Sequence, residues 1–212
     1  MLVQFRGVNG LHKMPRAESL DTRDRLLKTA ARLMWERSFQ ATGVDELCQR
    51  AKAKKGSFYH FFPSKSDLAV AAIESSWAQA EAAIFVPIFA GSGSGLGQLR
   101  RLVEKVYEFQ REAAGEKGAF LGCPFGSLGQ EMARQDEQIR KALQKIFDAH
   151  YGYIEAALIR AEQAGEIPAG DNRQRAKNIF ALLEGALLLA KVANDPKIFR
   201  GVMPTVVVVA AA

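Results

Sequence analysis

Apolar residues recur at helical spacing along most of this chain. Leu26, Leu27, Ala30, Leu33 and Met34 make one stripe, on a helix that Asp21 or Thr22 is expected to cap and that runs to about Ser38. Two short helices follow, Val44 to Ala51 and Lys54 to Phe61, with a tight break between them. Pro63 stops the second, because proline has no amide hydrogen to donate and clashes with the preceding turn. Ser64 followed by Asp67 is a capping-box-like start for a longer helix, Lys65 to about Phe85, carrying Leu68, Ala72, Ile73 and Trp77. Further helices are expected at about Leu96–Ala113, Pro124–Ala133, Asp136–Ala164 (closed by Gly165) and from Asp171 to about Ala193. Gly91 to Gly95 reads as a linker, and residues 114–122 as a Gly-rich loop. The valines at 206–209 favour a strand by propensity. No other run offers a partner strand, so a final helix is expected there.

One segment departs from amphipathicity. Ile179 to Ala190 is apolar nearly all round, with Glu184 alone breaking the run. Such a helix must be covered on every side. The chain's own core covers one side and a second copy is expected to cover the other, through Ile179, Leu182, Leu183, Ala186, Leu187 and Ala190.

The pair at 44–61 carries the clearest chemistry. Val44, Leu47, Ala51, Ala53, Phe58 and Phe62 line one side; Arg50, Lys52, Lys54, Lys55, Ser57, Tyr59 and His60 line the other. Two short helices with a basic, hydroxyl-bearing outer face form a helix-turn-helix, whose second helix enters the DNA major groove. Charge agrees with this. Residues 1–65 hold 13 Lys/Arg against 6 Asp/Glu, whereas residues 66–212 hold 16 against 17. The basic excess lies wholly in the N-terminal third, where attraction to phosphates needs it.

The remaining composition narrows the class. Two cysteines, Cys48 and Cys123, are too few for a disulfide framework and suit a reducing cytoplasm. No apolar run reaches the ~20 residues of a membrane-spanning helix. No Ser/His/Asp order, metal cluster or phosphate loop with its lysine is present, so neither an enzyme nor a cofactor is expected. Residues 1–20 show no period and read as a flexible arm, with Met14 an alternative start.

Residues 22–68 resemble the DNA-binding domain of the TetR/AcrR family of bacterial transcriptional regulators. The likeness rests on Ser38-Phe39, on Ala41-Thr42-Gly43-Val44, on the run Lys55-Gly-Ser-Phe-Tyr-His-Phe-Phe-Pro-Ser-Lys65, and on Leu68. The segment from Gly122-Cys123 to Met132 is similar to a Gly-Cys segment of one branch of that family. The resemblance implies an all-α protein in three parts: an arm at 1–20, a three-helix DNA-binding domain at 21–66, and a helical ligand-binding and dimerisation domain at 67–212. It implies a homodimer on a palindromic operator, usually repressing, released by a small molecule. By position, Thr42 would hold a phosphate and cap the first helix of the motif. Lys54, Lys55 and Ser57 would face base edges or nearby phosphates, and Tyr59, His60 and Lys65 would hold phosphates. Lys52 stands where the family usually has Gly, at the turn between the helices. It adds a charge near DNA at a conformational cost of order 1 kcal/mol.

Phe85, Phe89, Tyr107, Phe120, Cys123, Phe125, Met132, Phe147 and Tyr151 are candidates to surround an apolar effector pocket. Cys123 stands at a helix entry, where a thiol's pKa falls, so it reads either as a sensor of oxidants or electrophiles or as a buried small residue. His150 is a lone histidine on a helix, more in keeping with a satisfied imidazole than with a metal ligand. A third possibility is an architectural DNA-binding protein, which would lack a cavity.

Overall fold

The computed structural model describes residues 17–114 and 118–212, and among these every regular element is a helix. The order of helices runs α1 Ala17–Glu36, α2 Val44–Arg50, α3 Lys55–Phe61 and α4 Lys65–Ala80. A π-helical turn, Glu81–Phe85, carries α4 into α5, Val86–Ala90. Then come α6 Gly95–Ala114, α7 Pro124–Met132, α8 Glu137–Gln163, α9 Asn172–Ala193, α10 Pro196–Arg200 and α11 Met203–Ala211. The fold is all-α, with the helix-turn-helix at its N-terminal end. No helix of the described residues is long and apolar enough to cross a membrane.

α1 begins at Ala17, so positions 21 and 22 lie inside it and neither caps it. Residues 1–16, with the expected arm and Met14, fall outside the described residues, as do 115–117 of the Gly-rich loop. Three later caps match the sequence. Ser64 accepts from the amide of Asp67, Asp136 from those of Gln138 and Ile139, and Asp171 from that of Gln174. The valine run at 206–209 is helical because that geometry buries Val206 and Ala210, one turn apart, against the body. Packing here overrides strand propensity.

Two apolar cores result. The first joins α1 to α4 through Leu26, Ala30, Leu47, Phe58 and Leu68, then continues into α7 and α8 through Phe125, Met132, Ile139 and Leu143. The second fills the body among α6, α8, α9, α10 and α11, around Leu99, Ile154, Leu158, Ile179, Phe199 and Val206. The first core runs across the boundary expected at 66, so the N-terminal helices and α7–α8 pack as continuous material. A displacement of α7 or α8 is therefore transmitted by close-packed atoms rather than through a linker.

Candidate nucleic-acid interface and effector cavity

α2 and α3 meet at a turn whose geometry explains the unusual lysine. Lys52 has φ +50°, in the left-handed region. The Lys52 amide donates to the Gln49 carbonyl and the Ala53 amide to the Cys48 carbonyl, the paired bonds of a Schellman ending. Arg25 of α1 then donates through Nε to the Ala51 carbonyl at 2.9 Å and through a terminal nitrogen to the Lys52 carbonyl at 3.4 Å. The first helix of the unit thus clamps the turn that sets the angle of α3.

The outer face carries Lys52, Lys54, Lys55, Tyr59 and His60, all exposed, with Ser57 half-buried among them. Lys55 pairs with Asp45 of α2 at 2.7 Å, and that hydrogen bond raises the lysine's pKa. Tyr59 packs edge-on against the buried Phe58, which aims its hydroxyl outward. Thr42 and Lys65 do not belong to this face. Thr42 is fully buried and donates its hydroxyl to the Ser38 carbonyl at 2.7 Å, while Gly43 occupies the N-cap of α2. Lys65 donates to the carbonyls of Phe39 and Thr42 at 2.8 and 3.0 Å and lies 4.1 Å from the Phe39 ring centre. Burial lowers its pKa. Both side chains tie the α1–α2 turn together. Their partners are backbone carbonyls, which leave no trace in a residue pattern.

Directly above this unit lies a cavity of about 390 Å³. α1 contributes Leu27, Ala31 and Trp35, and α4 contributes Ala72, Ser76 and Trp77. The π-turn sets Ile84 and Phe85 into the wall, α6 supplies Leu102, Val103 and Val106, and α9 supplies Phe180, Leu183 and Glu184. Of the expected pocket residues, Phe85, Cys123 and Phe125 line the cavity. Phe89, Tyr107, Phe120, Met132, Phe147 and Tyr151 do not line it; they pack in or against the two cores. The residues missed, Trp35, Trp77, His150, Phe180 and Glu184, come from four helices far apart in sequence. One signal did mark a member: Glu184 was the sole polar residue in its apolar run.

His150 stands among four aromatic rings, with centroids 4.4 Å from Trp77, 5.0 Å from Phe85, 6.2 Å from Phe125 and 5.1 Å from Phe180. Its Nδ1 lies 2.7 Å from the Ile146 carbonyl, which fixes a proton there and leaves Nε2 as an acceptor. Burial lowers its pKa to about 4, so the ring is neutral near pH 7.

Cys123 is the N-cap of α7 and accepts from the Gly126 amide at 3.3 Å. The acidified thiol expected at a helix entry is not what forms. Burial, and then the carboxylate of Glu184, push its pKa well above the usual value, against the smaller lowering by backbone amides. Beside it Gly122, at φ +74°, is clasped on both polar groups. Its amide donates to Gln110 Oε1 at 3.2 Å, and its carbonyl accepts from Gln110 Nε2 and Trp35 Nε1, each at 2.8 Å. Trp35 also stacks on Phe109. At the other end of α7, the Glu131 carboxylate accepts from the amides of Phe39 and Gln40, both at 2.8 Å. One short helix therefore connects the cavity wall to the turn that precedes α2.

The expected contact face of α9 needs correction. Ile179, Leu183, Ala186, Leu187 and Ala190 are buried inside the protomer, and Leu182 is half-buried. The large apolar residues left uncovered on this helix are Leu188, Leu189 and Val192, at 45%, 60% and 78% exposure. A helix apolar all round gives no period from which the inward face can be chosen.

Comparison with known proteins agrees with this architecture. Residues 26–72 match the family described as "Bacterial regulatory proteins, tetR family", and residues 95–206 match "Tetracyclin repressor-like, C-terminal domain". The chain is 30% identical over 176 residues to the HTH-type transcriptional repressor NemR of Escherichia coli, covering 82% of this chain and 86% of that protein. A TetR-family regulator from Agrobacterium tumefaciens has the same fold, with a TM-score of 0.81 at 22% identity, over 92% of this chain and 100% of that one. The structure of E. coli NemR described as the reduced form matches with a TM-score of 0.75 at 27% identity, over 88% and 95% of the two chains. The chain belongs to the TetR family of helix-turn-helix, DNA-binding transcriptional regulators.

Proposed function

We propose that this chain is a ligand-responsive repressor, acting in the cytoplasm as a homodimer on an inverted-repeat operator and released when a small molecule occupies its cavity. The observation that carries this reading is that α1 and α4, which hold the DNA-reading pair, are themselves walls of the cavity. An occupant presses directly on the helices that set the spacing of two recognition helices. An architectural protein has no use for such a space. The uncovered residues Leu188, Leu189 and Val192 support pairing through the outer face of α9. α3 is the recognition helix, with Lys54, Lys55, Ser57, Tyr59 and His60 toward DNA and Lys52 adding charge at its entry.

Binding of the full-length protein to DNA fragments from its own promoter tests this. Two protomers should occupy one inverted repeat, with half-sites one DNA turn, about 34 Å, apart. Lys54→Ala and Tyr59→Phe alter exposed side chains and should weaken the complex while leaving the thermal midpoint unchanged. Wild-type binding by both variants would refute the assignment of this face, and a one-to-one complex would refute the dimer.

A second reading, sensing of oxidants or electrophiles through Cys123, draws support from the thiol's place in the cavity wall. The similar E. coli structure is described as a reduced form. The raised pKa of the thiol weighs against it, since the thiolate is the reactive species. Oxidant-triggered operator release in wild type that disappears in Cys123→Ser would favour this reading over a reversible ligand.

A further inference from the structure

The polar groups of the inner cavity wall are unevenly matched. Two of its donors are engaged: Trp35 Nε1 and the Gln110 amide both donate to the Gly122 carbonyl. Two of its acceptors lack a cationic partner. His150 Nε2 faces the cavity from within the ring of Trp77, Phe85, Phe125 and Phe180, with Nδ1 alone bonded to protein. Glu184, one helical turn beyond Phe180, has the Cys123 thiol as its hydrogen-bonding partner, and among the described residues no lysine or arginine pairs with it. Lys191, on the same helix, reaches instead to Ser127 Oγ at 3.5 Å.

The space for this carboxylate is built in. A Cβ at Gly126 would lie 2.2 Å from Glu184 Oε2, so glycine at that position is what lets the acid group sit against α7. An acidic group held in apolar surroundings with one thiol for company lacks a cation. The aromatic rings that line the same cavity favour the same charge, because a ring's quadrupole attracts cations. The basic residues that border the cavity, Lys28 and Arg32, are exposed on α1 at its rim.

We propose that the effector is a small organic cation, an amine or related N–H donor on an apolar body of aromatic size, with its charge against Glu184 and its body among Trp77, Phe85, Phe125 and Phe180. This rests on the reading of the cavity as the effector site. An anion of the same shape would meet the Glu184 carboxylate and the acceptor nitrogen of His150, so the wall selects by charge as well as by shape.

Three ligands of matched body test it by calorimetry on the full-length protein: 3-phenylpropylammonium, 3-phenylpropan-1-ol and 3-phenylpropanoate. The ammonium should bind at least tenfold more tightly than the alcohol, and the carboxylate at least tenfold more weakly. Glu184→Gln should bring the ammonium and the alcohol within about twofold of each other. Equal affinities for ammonium and alcohol in wild type, or tighter binding of the carboxylate, overturn the cationic class while leaving the cavity as a ligand site. A tenfold preference for the ammonium that persists in Glu184→Gln overturns the assignment to this acid. Failure of all three to bind at millimolar concentration overturns both the class and the cavity reading. The three-ligand series on wild type decides between the classes even where the Gln variant does not fold.

Discussion

Burying His150 as a neutral ring makes the fold sensitive to mild acid. In the unfolded chain this imidazole takes up a proton near pH 6.5; in the native protein burial lowers that value to about 4. The unfolded state therefore binds more protons between those limits, and stability falls as pH drops through them. The contribution is intact above about pH 7.5. The separation corresponds to ~3 kcal/mol when fully developed. About 2 kcal/mol is lost by about pH 5, which lowers the melting temperature of a chain this size by roughly 4–8 °C. Glu184 acts with the opposite sign. Burial raises its pKa, so the native state binds the extra proton and gains stability as the pH falls toward the carboxylate range. Thermal melts of wild type and His150→Asn at matched pH values separate the two effects. Asparagine keeps a donor near the Ile146 carbonyl and removes the titration. Its absolute stability is free to differ, but its decline from pH 7.5 to 5 should be smaller by about 2 kcal/mol. Equal slopes for the two proteins would refute the idea that a buried neutral imidazole shapes the acid response.

Three further substitutions test other parts of the structure. Lys52→Gly relieves a left-handed backbone and should raise stability by about 0.5–1 kcal/mol in urea unfolding. If Lys52 contacts a phosphate, the same change reduces the log–log salt slope of operator binding by about 0.9. Gly95→Ala places a Cβ 2.1 Å from the Ala157 carbonyl oxygen and 2.6 Å from the Ala161 amide nitrogen. Its cost should reach at least the upper part of the usual overpacking range, about 3 kcal/mol, read from the shift of the denaturation midpoint. Glu131→Ala strips the acceptor from two backbone amides and should cost about 1–3 kcal/mol. It should also weaken operator binding, in contrast to an exposed control such as Gln138→Ala; unchanged operator affinity would remove α7 from the route between cavity and DNA.

The DNA-reading end was legible because its determinants are local. Leu47 and Phe58 sit within two short helices and Phe62 closes the second, Ser64 caps the next by accepting from the Asp67 amide, and the exposed cations fall between the apolar positions. Even the departure at Lys52 was visible as a residue placed where glycine is usual, and the turn does adopt positive φ. The cavity was harder because its wall is assembled from distant segments. Trp35, Trp77, His150 and Phe180 converge through packing, and no spacing along one helix brings them together. α9 shows the same limit. Helical period identifies an inward face when polar residues mark the outward one, and Ile179 to Ala190 offers Glu184 alone. That single polar position borders the cavity, so it marked the cavity wall instead of an outward face. The start of α1 was placed too late because Asp21 and Thr22 look like caps; the helix had already begun at Ala17.

The crowding at Gly95 also has a mechanical meaning. With no side chain there, the start of α6 rests against the backbone of α8, and Glu166 accepts from the Leu96 amide and the Ser94 hydroxyl. That end is fixed like a fulcrum. Phe109, stacked on Trp35 of α1, lies fourteen residues farther along the same rod, a reach of about 21 Å at 1.5 Å per residue. A tilt of about 3° about the fixed end moves Phe109 by roughly 1 Å. A guest wedged beside Leu102, Val103 and Val106 pushes near the middle of the rod, so its far tip travels farther than the guest itself displaces the wall.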